Sequence, residues 1–75
     1  MAVTVKMTDG TERVFRDADS AARMDRMIVV SRWNTKRRHL DEVAVFRADQ
    51  VLVAEVSKYG VVTNGVFGDK PRQSN

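Results

Sequence analysis

Alternating apolar and polar residues predict a β-strand at the start of the chain. Val3, Val5 and Met7 share one face of residues 2–7, with polar residues between them, and this two-residue period is typical of a half-buried strand. Asp9-Gly10 follows, and such a pair favours a hairpin because tight hairpin turns need positive φ at their central residues. The chain is therefore predicted to return as a second strand over residues 11–16.

The register of this first hairpin depends on its loop length. A two-residue loop pairs Val5 with Val14 and places Phe15 on the polar face. A three-residue loop with a bulge pairs Val3 with Phe15 and keeps the aromatic ring inside. We favour the bulged register because it buries the larger side chain.

A break in the alternation at residues 17–20 predicts a short helix. Asp19 or Ser20 can accept backbone N–H groups at a helix start, and the residues that follow tolerate a helix, so the helix is predicted over residues 20–26. Residues 27–33 are predicted to form a strand because three consecutive β-branched residues, 28–30, are stiff at χ1. One longer helix reaching Trp33 is the alternative.

The second half of the chain is predicted to be β-structure joined by turns. A polar loop is expected over residues 34–41, and strands over residues 42–46 and 51–59 with a short connection at 47–50. The strand at 51–59 is apolar on nearly both faces, which favours a central position. Asn64-Gly65 predicts a second tight hairpin within residues 61–67. Residues 69–75 contain no apolar side chain and are predicted to be a disordered tail after a single domain, 1–68.

These elements predict an α+β, mostly β fold. We expect a small antiparallel sheet curled into a partly open barrel with one short helix, or a curled sheet that the helix covers. The arrangement resembles small five-stranded barrels of the SH3-like kind in architecture only, so it implies no functional residues.

Positive charge is concentrated in one short segment. The chain carries a net charge of +3, and residues 31–39 contribute four cations and no acid: Arg32, Lys36, Arg37 and Arg38. Without them the chain would be slightly acidic. Residues of this kind neutralise phosphates, and the neighbouring Trp33 can stack on a base or a sugar.

Two functional classes follow from this segment. The first is a non-catalytic accessory protein that binds nucleic acid through Arg32, Lys36, Arg37, Arg38 and Trp33. The second is a protein-interaction module, such as a small inhibitor, an adaptor or an oligomeric structural subunit, that uses an exposed strand edge and a Trp33/Met surface; in it the charged segment is a solvated loop. A homo-oligomer is expected because so small a chain cannot easily cover all its apolar strands.

Enzymatic and metal-dependent functions are not expected. The chain has no Cys and a single His, so thiolate sites and His-based metal centres lack ligands. Asp17-Ala-Asp19 has the spacing that opens an EF-hand calcium loop. Such a loop needs Gly at its sixth position and Glu at its twelfth, and these positions are Ala22 and Ile28. No nucleophile or phosphate-loop motif is present, and we expect no cofactor.

A membrane protein is not expected either. The N-terminus lacks the layout of a secretory signal, and the apolar run at residues 27–30 is too short to cross a bilayer. The sequence therefore predicts a cytoplasmic protein.

Overall fold

The computed structural model describes residues 1–69 and folds them into a mostly β, antiparallel structure. The seven strands in chain order are β1 (Ala2–Met7), β2 (Glu12–Phe15), β3 (Ser20–Met24), β4 (Met27–Asn34), β5 (His39–Arg47), β6 (Val51–Lys58) and β7 (Val61–Phe67). One sheet has the order β2-β1-β6-β7 and the other has the order β3-β4-β5. Helix within residues 1–69 is limited to one 3-10 turn, Ala48–Gln50. The β-rich class predicted from sequence is confirmed.

The strands form two sheets rather than the single sheet of the predicted partly open barrel. Within residues 1–69, no hydrogen-bonded ladder joins the two sheets. The chain passes from the first sheet to the second after β2 and returns through the 3-10 turn, so β3, β4 and β5 pair only with one another. The two sheets are held together by side chains rather than by backbone pairing.

The first hairpin adopts the bulged register. Val3 lies opposite Phe15, and Val5 lies opposite Arg13. The Asp9 carboxylate accepts the backbone N–H of Thr11 at 2.9 Å, and Gly10 has φ of 92°. The preferred register is therefore confirmed, and it places Phe15 against the core.

The predicted helix over residues 20–26 is wrong. Residues Ser20–Met24 form β3, which turns at Asp25 (φ 57°) and pairs with β4. Cross-strand pairing with Val30 buries Ala21, and this burial outweighs the weak helix preference of a segment too short to be a stable helix. The strand predicted over residues 27–33 is confirmed as β4, and the longer helix reaching Trp33 is excluded.

Two turns lie elsewhere than predicted. The polar loop predicted over residues 34–41 shrinks to the four residues between β4 and β5, because β5 begins at His39 and runs beyond the predicted strand 42–46. The hairpin predicted at Asn64-Gly65 is wrong, since β7 continues through both residues beside β6. The turn lies instead at Tyr59-Gly60, where φ is 53° and 78°, the positive values that tight hairpins require.

The core lies between the two sheets. The strand predicted to be central is confirmed, because β6 pairs with β1 on one side and β7 on the other. The T-shaped ring pair Phe15–Phe46, with centroids 6.0 Å apart, also links one sheet to the other. The buried apolar residues come from both sheets and their connections: Val3, Val5, Ala18, Ala21, Ile28, Val30, Ala48, Val51, Ala54 and Val56.

The predicted tail 69–75 lies outside the described residues except for Asp69. The Asp69 amide donates to the carbonyl of Ala48 at 2.9 Å, and its carboxylate contacts the guanidinium of Arg23. Asp69 is thus part of the folded structure. Among residues 1–69, no helix has the length and apolar character needed to cross a membrane.

Candidate nucleic-acid interface

The cations predicted to bind phosphate lie at one end of the β4–β5 hairpin. Lys36, Arg37 and Arg38 belong to the four-residue turn between the strands, and Arg32 lies on β4 opposite Asp41. β3 pairs with β4 only as far as Ser31. Residues 32–41 are therefore a two-stranded ribbon with a turn at its tip, which we call the basic ribbon.

Asn34 organises the tip of the basic ribbon. Its Oδ1 accepts the backbone N–H groups of Lys36 and Arg37, each at 3.0 Å, and its carbonyl oxygen accepts the N–H of Arg38 at 2.8 Å. Arg38 then takes a left-handed conformation with φ of 57°. Three consecutive backbone donors are satisfied by one residue, so the turn holds a defined shape and its basic side chains point into solvent.

Asp41 is tied to its own ribbon rather than to the cations of the turn. One carboxylate oxygen accepts the Asn34 Nδ2 amide at 2.8 Å, and the other lies 2.8 Å from Nε2 of His39. The hydrogen bond from Asn34 is the main cause of a lowered pKa for Asp41, and the hydrogen bond and charge of His39 and the charge of Arg37 lower it further. The carboxylate of Asp41 thus remains charged, and each of its oxygens contacts a residue of the ribbon.

The four cations of the basic ribbon have no close carboxylate partner. Within residues 1–69, the ion pairs with nitrogen–oxygen distances up to 4.0 Å involve Lys6, Arg23, His39 and Arg47. Arg32, Lys36, Arg37 and Arg38 are in none of them and are exposed. Their charge is therefore available to an anionic partner.

Asp19 anchors the base of the basic ribbon. Its backbone N–H donates to the carbonyl of Ser31 at 2.8 Å, and its carboxylate accepts the backbone N–H of Trp33 at 2.7 Å. This acid was predicted as a helix cap, but it caps the free edge of β4 beyond the end of β3. The backbone N–H of Trp33 at the ribbon base is thus satisfied without another strand.

Trp33 lies on the outside of the three-stranded sheet rather than in the core. Its side chain is 48% exposed and lies across from Leu40 on β5. The structure therefore brings Trp33 to the foot of the same ribbon that holds the four cations.

Salt bridging of Asp41 to the basic segment is expected from the sequence, and Asp41 lies 2.8 Å from His39. The supporting roles of Asn34 and Asp19 in the ribbon were not predicted. Asn34 had a local signal, because an Asn followed by polar residues often accepts backbone N–H groups two and three positions later. The contact from Asp19 to Trp33 spans 14 residues, and no local pattern indicates it.

Other potential sites carry less chemistry. A shallow open cleft at the opposite end of β4 is lined by Arg26, Met27, Arg47, Asp49 and Asp69. Its acids are partly neutralised, since Arg47 lies 2.8 Å from Asp49 and Arg23 contacts Asp69. Among the described residues, no group of three His or acidic side chains is arranged to hold a metal ion.

Comparisons of the chain with protein-family models, with curated proteins and with solved structures find no match. The site's own geometry and charge are therefore the basis for a functional proposal.

Proposed function

We propose that this protein is a non-catalytic accessory protein that binds the phosphate backbone of nucleic acid through the basic ribbon. The observation that supports the proposal is the concentration of four cations without a close carboxylate partner on one two-stranded element. Arg and Lys side chains of this kind bind phosphates and release condensed counterions.

The two-stranded form of the basic ribbon suits a nucleic-acid groove. The major groove of B-form DNA admits a two-stranded β-ribbon. Lys36, Arg37 and Arg38 at the tip would contact phosphates, and Arg32 would contact the backbone closer to the sheet. Trp33, half-exposed at the base, would stack on an unpaired base or a sugar.

Weak sequence preference and strong salt dependence are expected of this binding. Phosphate contacts orient a protein on the duplex without reading its bases. If three to four phosphates are neutralised per chain, log K should fall with log salt with a slope of about −3 on duplex DNA. Fluorescence polarisation of labelled random DNA and RNA across a salt series measures both quantities.

A matched pair of neutralising variants tests the location of the site. Arg37→Gln removes one cation from the ribbon tip, and Arg26→Gln removes one exposed cation from the turn at the other end of β4. We expect Arg37→Gln to weaken binding on all sequences and to reduce the salt slope by about 1. Arg26→Gln should leave both unchanged. Equal effects of the two variants, or a parent that binds neither DNA nor RNA at about 50 mM salt, would exclude the basic ribbon as the site.

The second candidate function is that of a protein-interaction module. It is favoured by a specific observation, which is that Trp33, Leu40 and several other large apolar side chains share an uncovered sheet face. Contiguous apolar surface on a soluble domain is typical of protein–protein contact. In this alternative the ribbon cations provide solubility rather than binding.

A further inference from the structure

The three-stranded sheet has an apolar surface on the side that faces away from the core. Ile28 and Val30 of β4 point into the core, so the residues between and beyond them point outward, as do their cross-strand partners. We call this surface the outer face. Its apolar members are Ala22, Met24, Met27, Val29, Trp33, Leu40 and Val45. Val43, which a bulge leaves without a cross-strand partner, is exposed beside them, two residues from Val45 on β5.

Five large side chains on or beside the outer face are between 39% and 59% exposed: Met24, Trp33, Leu40, Val43 and Val45. Together they present on the order of several hundred Å² of apolar surface, the size at which exposed patches mark interaction sites. The exposed patch includes the only Trp of the chain, while four of the ten buried core residues are Ala. Many of the large apolar side chains therefore lie outside the core.

The equivalent surface of the four-stranded sheet is different. Its outward positions include Thr4 and Ser57, together with Lys6 and Glu55, which form an ion pair at 3.3 Å. Val14, Val62 and Phe67 are also outward and exposed on that sheet, so its outer face is mixed, with an ion pair on its two central strands. The outer face of the three-stranded sheet differs at its centre, where Met27, Val29 and Val45 include no charged residue.

The sequences of β4 and β5 are typical of strands covered on both sides. Residues 27–30 and 43–46 are unbroken apolar runs, the pattern of a strand buried on both faces. Inward members such as Ile28 and Phe46 pack on the core between the sheets. Outward members such as Val29 and Val45, which are cross-strand partners, have no sheet or helix packed over them among residues 1–69.

We propose that a second copy of this chain covers the outer face around Val29 and Val45, so that two three-stranded sheets stack face to face across a twofold axis near these residues, with Trp33 left at the rim of the contact. The assembly would have four layers, with the two outer faces forming a second apolar core about 10 Å thick. A twofold interface uses the same patch on both subunits, and an apolar patch of this kind is complementary to itself.

The charges around the outer face favour a second copy in one orientation. Along β5, Arg47 and Glu42 lie on opposite sides of Val45. Arg47 is opposite Met27 and lies 2.8 Å from Asp49 of its own chain, and the exposed Glu42 is opposite the buried Ser31. Antiparallel stacking places Arg47 of each copy near Glu42 of the other. It also holds the two basic ribbons at opposite ends of the dimer, whereas parallel stacking would bring eight like charges together.

The mass in solution tests the dimer directly. Light scattering of the full chain at micromolar concentration should give about twice 8.5 kDa. Val45→Lys places a charge near the axis in each copy and should raise the dimer dissociation constant at least ~100-fold, giving a monomer. The matched control is Val14→Lys, which introduces the same change at a similarly exposed valine on an edge strand of the other sheet and should remain dimeric. A monomeric parent, or a dimer that survives in Val45→Lys, would overturn the proposal.

A cross-linking experiment covers the case in which Val45→Lys fails to fold. The chain has no Cys, so Val45→Cys and Val14→Cys each introduce a single thiol. A bis-maleimide reagent with a span of about 10 Å matches the spacing of stacked sheets and should join two Val45→Cys chains but not two Val14→Cys chains. Equal cross-linking of the two variants, or none in either, contradicts a dimer through the outer face. Neither experiment uses nucleic acid, so its outcome is independent of the proposed binding function.

Discussion

Asn34 is the residue on which the shape of the basic ribbon depends most. It accepts two backbone N–H groups of the turn through Oδ1, and it donates through Nδ2 to Asp41 on the facing strand. An aspartate would supply only acceptors at this position, and a serine could not reach both groups. The same side chain thus joins the turn to Asp41 on the facing strand.

Replacing Asn34 with Ala should raise the pKa of Asp41 toward its ordinary value of 3.8, because the hydrogen bond that lowers it most is lost. A lowered pKa means that Asp41 stabilises the folded state above its ordinary pKa, and that this contribution disappears as the pH falls through the lowered value. Asn34→Ala should therefore reduce the contribution of Asp41 at neutral pH. NMR titration of the carboxyl groups measures the shift.

Asp9 is an internal control in that titration. Its pKa is lowered by hydrogen bonds from the side chain and backbone of Thr11, which Asn34 does not touch. The Asp9 value should be the same in the parent and in Asn34→Ala. An unchanged pKa for Asp41 would show that the contact with Asn34 is not what lowers it.

Gly68 should be the least replaceable glycine of the described residues. A Cβ at this position would lie 1.8 Å from the carbonyl oxygen of Val51, whereas a Cβ at Gly65 would lie 3.4 Å from a Val53 methyl group. Since a backbone oxygen cannot move aside cheaply, Gly68→Ala should cost about 2–4 kcal/mol of unfolding free energy. Gly65→Ala, also within reach of β6, should cost less than about 1 kcal/mol. Urea denaturation of both variants makes the comparison, and equal losses would contradict it.

At the scale of elements, the turn of the β4–β5 hairpin contains one residue in an unfavourable backbone conformation. Arg38 occupies a left-handed conformation, which costs a residue with a Cβ roughly 1 kcal/mol. A glycine would suit that position better. Keeping a cation there instead is consistent with the proposed phosphate contact at the ribbon tip.

Arg38→Gly should therefore stabilise the protein by about 0.5–1 kcal/mol while weakening nucleic-acid binding. Arg37→Gly is the matched control, because Arg37 is not among the residues with positive φ and glycine there only adds unfolded-state entropy. Thermal unfolding and polarisation at low salt give the two readouts. A loss of stability in Arg38→Gly would show that the left-handed conformation is not a source of strain.

At the scale of the whole molecule, stability depends on the contact between the two sheets. No backbone ladder joins them within residues 1–69, so each sheet is stabilised by apolar side chains of the other. Ile28 is fully buried at this contact and is the largest of the fully buried side chains. A defect there should affect both sheets together.

Ile28→Ala should lower the unfolding free energy by about 2–5 kcal/mol, through lost transfer energy and the cavity left behind. Val14→Ala, on the exposed face of an edge strand, should change it by no more than about 0.5 kcal/mol. The variants and the parent are compared at one fixed protein concentration, because dimerisation would make the unfolding free energy depend on concentration. Denaturation should show a single transition for both sheets. Separate transitions for β1 and β4 would contradict the shared core.

The sequence by itself determined the features that are set by neighbouring residues. Alternation in residues 2–7 and the Asp9-Gly10 pair predicted β1 and its turn, and burial of Phe15 predicted the register. The apolar run at 51–59 predicted a central strand. The cluster of cations in residues 32–38 is equally a property of the chain, which is why the proposed binding residues could be named without coordinates.

Tertiary structure decided whatever depends on partners distant in the chain. Residues 20–26 have almost no intrinsic preference, and only pairing with β4 made them a strand rather than a helix. Asn64-Gly65 has the chemistry of a turn, but a longer ladder with β6 outweighed it. The apolar runs of β4 and β5 did not indicate which of their alternate residues face the core. A strand that is apolar on both faces lacks the two-residue alternation from which the buried face is predicted. Only the packing of the four-stranded sheet onto one side left the outer face open.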